Sequence, residues 1–293
     1  MEYLTRYADS LGVKLILWLN WENVSKQIDA AFPLYEKWGI AGVKIDYMNR
    51  DDQEMVAFYQ TMVEKAAQHH LLVDFHGAYP PTGMRRAWPN LITREGVLGL
   101  EYNKWSDWAS PEHDVTIPYT RMLVGPMDYT PGAINNSTRK SFNPRNIDPM
   151  SQGTRCHQLA MFVVYESPLT VLADSPDNYR GEKGLDFIKV VPTVWDETRF
   201  LAGEVGQYVV LARKSGDKWY LGAMTNWDPR EVEVPLDFLG SGNWKAKVWA
   251  DGVKIDKNPS DVDVLQLEVN SGAPLAIKMG PGGGFAAVLE QAQ

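Results

Sequence analysis

Apolar positions recur along the first two hundred residues in two alternating periods. Leu4, Tyr7, Ala8 and Leu11 fall on one helical face, with Gly12 as the stop, and predict an amphipathic helix over residues 1–11. Val13 to Trp21 is then almost continuously apolar, the pattern of a parallel strand buried on both faces. A helix over 26–38 leads through Gly39-Ile40-Ala41-Gly42 into the short β-branched run Val43-Lys44-Ile45-Asp46. A helix over 52–69 follows, with Met55, Phe58, Tyr59, Met62, Val63 and Ala66 at the required spacing. Further strand-like runs are Leu71 to His76 and Asn90 to Glu95, and the segments 120–125 and 168–172 complete the set. Residues 102–118 and 133–152 read as loops, 153–166 as a helix and 181–191 as one more.

After about residue 200 the texture changes. Tyr208-Val209-Val210-Leu211-Ala212, Trp219 to Met224 and Trp244 to Trp249 recur at short intervals with turn residues between them, as in an antiparallel β-sandwich. The six strand-like runs before that point alternate with helices, which is the order of a TIM-type (β/α)8 barrel, but such a barrel has eight strands. The expected fold is therefore α/β: a partial (β/α)8 barrel over 1–200, lacking its first two strands, then an antiparallel β domain over 201–293. Met1 to Arg6 enters directly into helical sequence without a signal peptide, and a start inside a helix is expected of a sequence with further residues upstream.

Composition narrows the function more than the fold. The net charge is −8 and no basic cluster is present, which argues against nucleic-acid and anionic-membrane partners. No apolar stretch approaches membrane-spanning length. The single cysteine, Cys156, allows neither an internal disulfide nor a cysteine-based metal cage, and its apolar helical setting is that of a small buried hydrophobe. Eleven tryptophans supply flat surfaces of the kind sugars stack on, although most are expected in the core.

The candidate chemistry gathers at strand ends. Asp46 closes its strand, and Glu101 lies just beyond a strand two places further on. Two such carboxylates, one protonated and one ionised, are what glycosidic cleavage requires. The alternatives are a helix cap or salt-bridged strand end for Asp46 and a solvated loop acid for Glu101. Lys44, two residues before Asp46, shares its face and would hold the aspartate ionised, or form an ordinary buried ion pair. Asp74 and His76 repeat that spacing on the next strand. His76 could bind a sugar hydroxyl or a carboxylate, and Glu95 with Glu101 could hold a hard cation through oxygen. Asp128 could contact sugar or form a turn; Trp18, Trp21, Tyr47, Trp105 and Trp108 are candidate stacking walls.

Four ordered segments are familiar together: Val-Lys-Ile-Asp-Tyr-Met, Val-Asp-Phe-His-Gly-Ala, Leu-Ile-Thr-Arg-Glu-Gly-Val and Met-Leu-Val-Gly-Pro-Met-Asp-Tyr-Thr-Pro-Gly-Ala. From about residue 3 to the end the sequence resembles the barrel and C-terminal part of glycoside hydrolase family 97. The resemblance implies an N-terminal β-super-sandwich with no counterpart in this sequence, a barrel and a C-terminal β domain. Inverting members carry glutamate bases on the third and fifth strands; retaining members carry an aspartate nucleophile on the fourth. Asp46 at the fourth-strand position and Gly77, not glutamate, at the fifth resemble the retaining branch, which is associated with α-galactosidase activity. Glu101 then matches the general acid/base. Glu95 matches a calcium ligand, with Glu101 touching the same ion, and a further ligand is expected from the N-terminal domain. The resemblance implies oligosaccharide or aryl galactoside substrates and a periplasmic or secreted location. Rivals are α-glucosidase or β-L-arabinopyranosidase activity on the same carboxylates, a family 27/36-type melibiase, and a truncated, non-catalytic carbohydrate-binding fragment.

Overall fold

The computed structural model describes residues 1–292. The chain forms two compact units: residues 1–97 with 124–128, and residues 98–123 with 129–293.

The first unit alternates helix and strand. Helix α1 (Glu2–Ser10) precedes β1 (Ile16–Asn20), α2 (Trp21–Ser25), α3 (Ile28–Trp38), β2 (Gly42–Asp46), α4 (Gln53–Gln68), β3 (Leu72–Phe75), α5 (Met84–Ala87) and β4 (Leu91–Arg94). The four strands pair in parallel in the order β1-β2-β3-β4. Local chemistry sets the boundaries. Asn20 caps α2 by accepting the Glu22 N–H, Asp52 caps α4 by accepting the Met55 N–H, and Gly39, with φ 76°, ends α3 in the left-handed region. The core is made by the face of α3 and α4 and the strand residues Val43, Ile45, Val73, Phe75 and Leu91. The apolar face of α1 departs from expectation: Ala8 is buried, but Leu4, Tyr7 and Leu11 are exposed.

Two expected strands are absent. Residues 121–124 form a 3-10 turn, because Gly125 and Pro126 interrupt the run and proline cannot donate to a ladder. Leu123 stays 77% exposed, and a backbone bond from the Asp128 N–H to the Arg94 carbonyl at 3.0 Å holds the following segment beside β4. Residues 168–172 are irregular, with the Ser167 hydroxyl turning back to the Leu169 carbonyl.

The second unit contains α6 (Pro111–Thr116), β5 (Asn136–Ser137), β6 (Ser151–Gln152), α7 (Arg155–Val164), α8 (Pro176–Tyr179), α9 (Leu185–Ile188) and the strands β7 (Glu197–Glu204), β8 (Tyr208–Ser215), β9 (Lys218–Thr225), β10 (Arg230–Val234), β11 (Asn243–Asp251), β12 (Val262–Asn270), β13 (Leu275–Met279) and β14 (Gly284–Gln291). Six strands form an antiparallel sheet in the order β12-β11-β14-β9-β8-β7. The β10-β13 ribbon covers one face through Val234, Leu275, Ile277 and Met279, making a two-layer sandwich. Helix α7 packs on the other face through Cys156, Leu159, Phe162 and Val163, and all ten of its residues are buried. This packing explains why α7 belongs to the second compact unit, whereas the antiparallel sheet begins only at Glu197.

Both expected loops are more ordered than their polarity suggests. The 102–118 segment holds α6, started by the Ser110 cap and Pro111. In the 133–152 segment, Asn136, Ser137, Ser151 and Gln152 are buried, because each side chain finds a hydrogen-bond partner. The expected helix at 181–191 shrinks to the single turn α9.

Candidate active site

In the first unit, parallel register lines up Trp18, Lys44 and Asp74 on adjacent strands. Two residues further along, Asp46 ends β2 and His76 follows β3, so both lie at the C-terminal edge of the sheet. Glu95 follows β4, and Asp128 is brought in by its backbone bond to Arg94.

Asp46 is fixed from several sides. Its Oδ2 accepts the Trp18 indole N–H at 3.0 Å and its Oδ1 accepts the Tyr47 backbone N–H at 2.6 Å. The chain then turns sharply: Tyr47 and Asn49 have φ of 71° and 46°, a region side-chain-bearing residues seldom adopt, and the Asn49 N–H bonds the Gly77 carbonyl at 2.7 Å. Gly77 itself has φ 58°, and a Cβ there would fall 2.9 Å from Asn49 Oδ1 and 3.2 Å from Asp46 Oδ1. The Asp46 carboxylate and the turn after it thus occupy the room that a side chain at position 77 would need.

Lys44 points away from the role first expected of it. Its nearest partner is the Asp128 carboxylate, with Asp74 Oδ2 at 3.6 Å. Burial works to lower the Lys44 pKa, but the charges of Asp128 and Asp74, with a smaller contribution from Asp46, outweigh it and hold the ammonium above its ordinary value. Asp74 is buried, and burial followed by the neighbouring Asp128 charge pushes its carboxyl well above the usual range, against the pull of Lys44. Two acids therefore share one ammonium, and burial disfavours the charged form of Asp74.

His76 sits among three carboxylates. Its Nδ1 lies 3.5 Å from Glu95 Oε2 and 3.7 Å from Asp46 Oδ2, and its Nε2 lies 3.7 Å from Asp128 Oδ2. Glu95 is buried and accepts the Gly77 N–H at 2.7 Å. Beneath them Arg94 is packed among the rings of Tyr59, Phe75 and Tyr79, with its guanidinium carbon 4.8–5.5 Å from the ring centres.

Trp18, Lys44, Asp46, His76, Glu95 and Asp128 are thus gathered within one unit. Trp18, 53% exposed, meets Tyr47 edge-on at 5.8 Å and offers a wall beside Asp46. Trp21 does not line the site; it packs against Phe58. Glu101 belongs to the second unit, on the 3-10 turn Leu100–Lys104. That turn is seated from within its own unit: the Leu100 N–H bonds the Tyr129 carbonyl at 3.2 Å, and the buried Tyr129 hydroxyl donates to Asp114. Asp74 is the site residue that sequence reasoning noted by its spacing but gave no role. Its signal was the same spacing to His76 that Lys44 has to Asp46.

A parallel α/β sheet that collects carboxylates at the C-terminal ends of its strands belongs to the class whose active sites form at that edge. The family model described as glycoside hydrolase 97 matches residues 1–97, and the one described as glycosyl-hydrolase 97 C-terminal, oligomerisation, matches residues 194–290. A retaining alpha-galactosidase of Bacteroides thetaiotaomicron is 41% identical over 289 residues, 98% of this chain and 44% of the relative. A probable retaining alpha-galactosidase of Streptomyces bingchenggensis is 34% identical over 97% of this chain and 42% of its own length. Among solved structures, a family 97 enzyme from Pseudoalteromonas sp. strain K8, in complex with panose, superposes with a TM-score of 0.89 at 35% identity, covering 99% of this chain and 49% of that one. A beta-arabinopyranosidase does so with a TM-score of 0.84 at 28% identity, covering 98% and 48%. The chain belongs to glycoside hydrolase family 97, and it spans less than half the length of the curated relatives it matches.

Proposed function

We propose that the chain carries the catalytic residues of a retaining glycosidase that removes terminal α-galactosyl groups, within a (β/α)8 barrel followed by a C-terminal β domain. The observation that carries this reading is the Asp46 carboxylate, held by Trp18 and Tyr47 at a strand end, with the glycine at 77 leaving it room. The two alpha-galactosidase relatives support the sugar class.

In the first step Asp46 Oδ attacks the anomeric carbon while Glu101 gives its proton to the leaving glycosidic oxygen, so one C–O bond forms as the other breaks. In the second step Glu101 takes a proton from water, the water oxygen bonds to the anomeric carbon, and Asp46 leaves as carboxylate. The configuration at that carbon is inverted twice and so retained. Lys44, with Asp128 and His76, lines the site and offers hydrogen bonds to sugar hydroxyls; Trp18 offers the stacking wall.

Glu95 is a buried, hard oxygen donor, already oriented by the Gly77 N–H, and so is suited to calcium. Glu95 and Glu101 would hold the ion, which would supply fixed positive charge for oxygens of the bound sugar. A periplasmic or secreted location belongs to the same proposal. So does self-association through the C-terminal β domain, which the description of the matched family model suggests.

The test is Asp46→Ala. Turnover of nitrophenyl α-galactoside should vanish and return with azide or formate, giving a product of inverted configuration; near-normal rates without the added nucleophile would reject Asp46. The beta-arabinopyranosidase neighbour favours β-L-arabinopyranoside as the second sugar to try, since that ring is galactose without C6. A panel of nitrophenyl glycosides separates the two.

A further inference from the structure

Four residues beyond Glu101, capping the same turn, stands Trp105, and the second unit has a cleft of about 810 Å³ beside it. Trp105, Asp107, Trp108, Arg139, Phe142 and Trp227 are among its walls. None of these is used by the chemistry above.

Three features of the cleft bear on its ligand. Trp105 and Trp108 are 55% and 66% exposed, a costly display of apolar ring surface unless something is laid on it. The rings alternate with charged planar groups: Asp107 and Arg139 are exposed, and Arg139 faces Glu112 only at 3.9 Å, beyond hydrogen-bond range. Flat rings beside a carboxylate and a guanidinium suit a pyranose, whose C–H face stacks while its hydroxyls bond outward. The walls are also rigid before any ligand arrives. The buried Gln152 amide donates to the Asp107 and Ala109 carbonyls at 2.9 and 3.2 Å and so pins the loop that carries Trp108. Trp105 packs edge-on against Tyr102 at 5.6 Å. Trp227 packs against Gly282, where a Cβ would come within 2.8 Å of the ring. A preformed cleft loses little conformational freedom on binding.

We propose that this cleft is an oligosaccharide subsite that takes the sugars on the leaving-group side of the cleaved bond. It rests on the reading of Glu101 as proton donor, because the donor's own turn carries the first wall. The volume fits two or three sugar rings and exceeds what a nitrophenyl group fills.

Two measurements on the full chain test it. The first is calorimetric titration with mannotetraose and maltotetraose, which lack a terminal α-galactosyl group and need no catalysis. At least one should bind, and Trp108→Ala and Trp227→Ala should each weaken binding about tenfold, with Trp108→Phe restoring part of it. The second compares substrates: Trp108→Ala should lower kcat/KM for an α-galactosylated oligosaccharide about tenfold more than for nitrophenyl α-galactoside. Absence of binding at millimolar sugar overturns the proposal, as does binding indifferent to both tryptophan variants, or an equal loss on the two substrates. If tetraose binding depends on the tryptophans but Asp46→Ala hydrolyses as well as the unaltered chain, the catalytic reading fails on its own and the sugar site stands.

Discussion

At the scale of single residues, the arrangement of charge around Lys44 has a measurable consequence. Asp74 keeps its proton in the folded chain at pH values where an unfolded aspartate has lost it, because it is buried and faces Asp128. Folding therefore takes up a proton, and this group's contribution to stability is full below the ordinary carboxylate range and is lost as pH rises toward the folded value. The slope reaches about 1.4 kcal/mol per pH unit where Asp74 alone titrates differently. Asp74→Asn keeps the shape and the neutral hydrogen-bonding character, so urea denaturation across a pH series should show the same fold with that slope removed. Asp128→Ala should behave differently. It strips the Lys44 ammonium of its nearest counter-charge and should cost about 3 kcal/mol at neutral pH. A pair of variants with equal costs and equal pH slopes would mean that the proton is not on Asp74.

Two turns at the scale of elements give sharper expectations than any helix does. The first follows β3, where Gly77 packs against the loop after Asp46. Gly77→Ala should lower kcat by tenfold or more, since even small displacement of a nucleophile is costly, while leaving the unit folded. Circular dichroism with kinetics on one preparation separates the two effects. The second starts α7. The Thr154 hydroxyl accepts the His157 N–H at 3.2 Å and donates to the buried Asp251 carboxylate at 2.6 Å. Thr154→Ala removes a cap and one of the donors to Asp251, which keeps the Gly280 and Gly284 N–H groups, so a loss of about 1–2 kcal/mol should appear in thermal melts. Elements also show where the sequence was legible. The helices at 28–38 and 53–68 and the strands at 42–46, 72–75 and 91–94 lie where periodicity put them, because each has a one-sided core to face. The strands expected at 120–125 and 168–172 failed because apolar composition by itself does not supply a pairing partner, and Gly125-Pro126 and the turn at Ser167 deny one.

For the whole molecule, the calcium proposal and the substrate proposal are separable. Removal of divalent cations with a chelator should lower turnover of nitrophenyl α-galactoside, with recovery on adding calcium and not on adding an equal ionic strength of sodium. Glu95→Gln should abolish the chelator effect by weakening the ion from the outset. Activity indifferent to the chelator would reject the calcium proposal and leave the substrate proposal standing. No helix among the described residues is long and apolar enough to cross a membrane.

The amino-acid sequence by itself determined the parallel strands of the first unit, the antiparallel texture of the last hundred residues and the strand-end placement of Asp46, His76 and Glu95. These depend on local period and on what a strand end presents, and both are written in nearest neighbours along the chain. Only the tertiary structure decided that Lys44 answers Asp128 and Asp74, that the charged form of Asp74 is the disfavoured one, and that Asn136, Ser137, Ser151 and Gln152 at the ends of the polar run are buried. Each of those depends on which distant group removes water from a charge or replaces it with a hydrogen bond. For Asp128 that distance is 84 residues of chain.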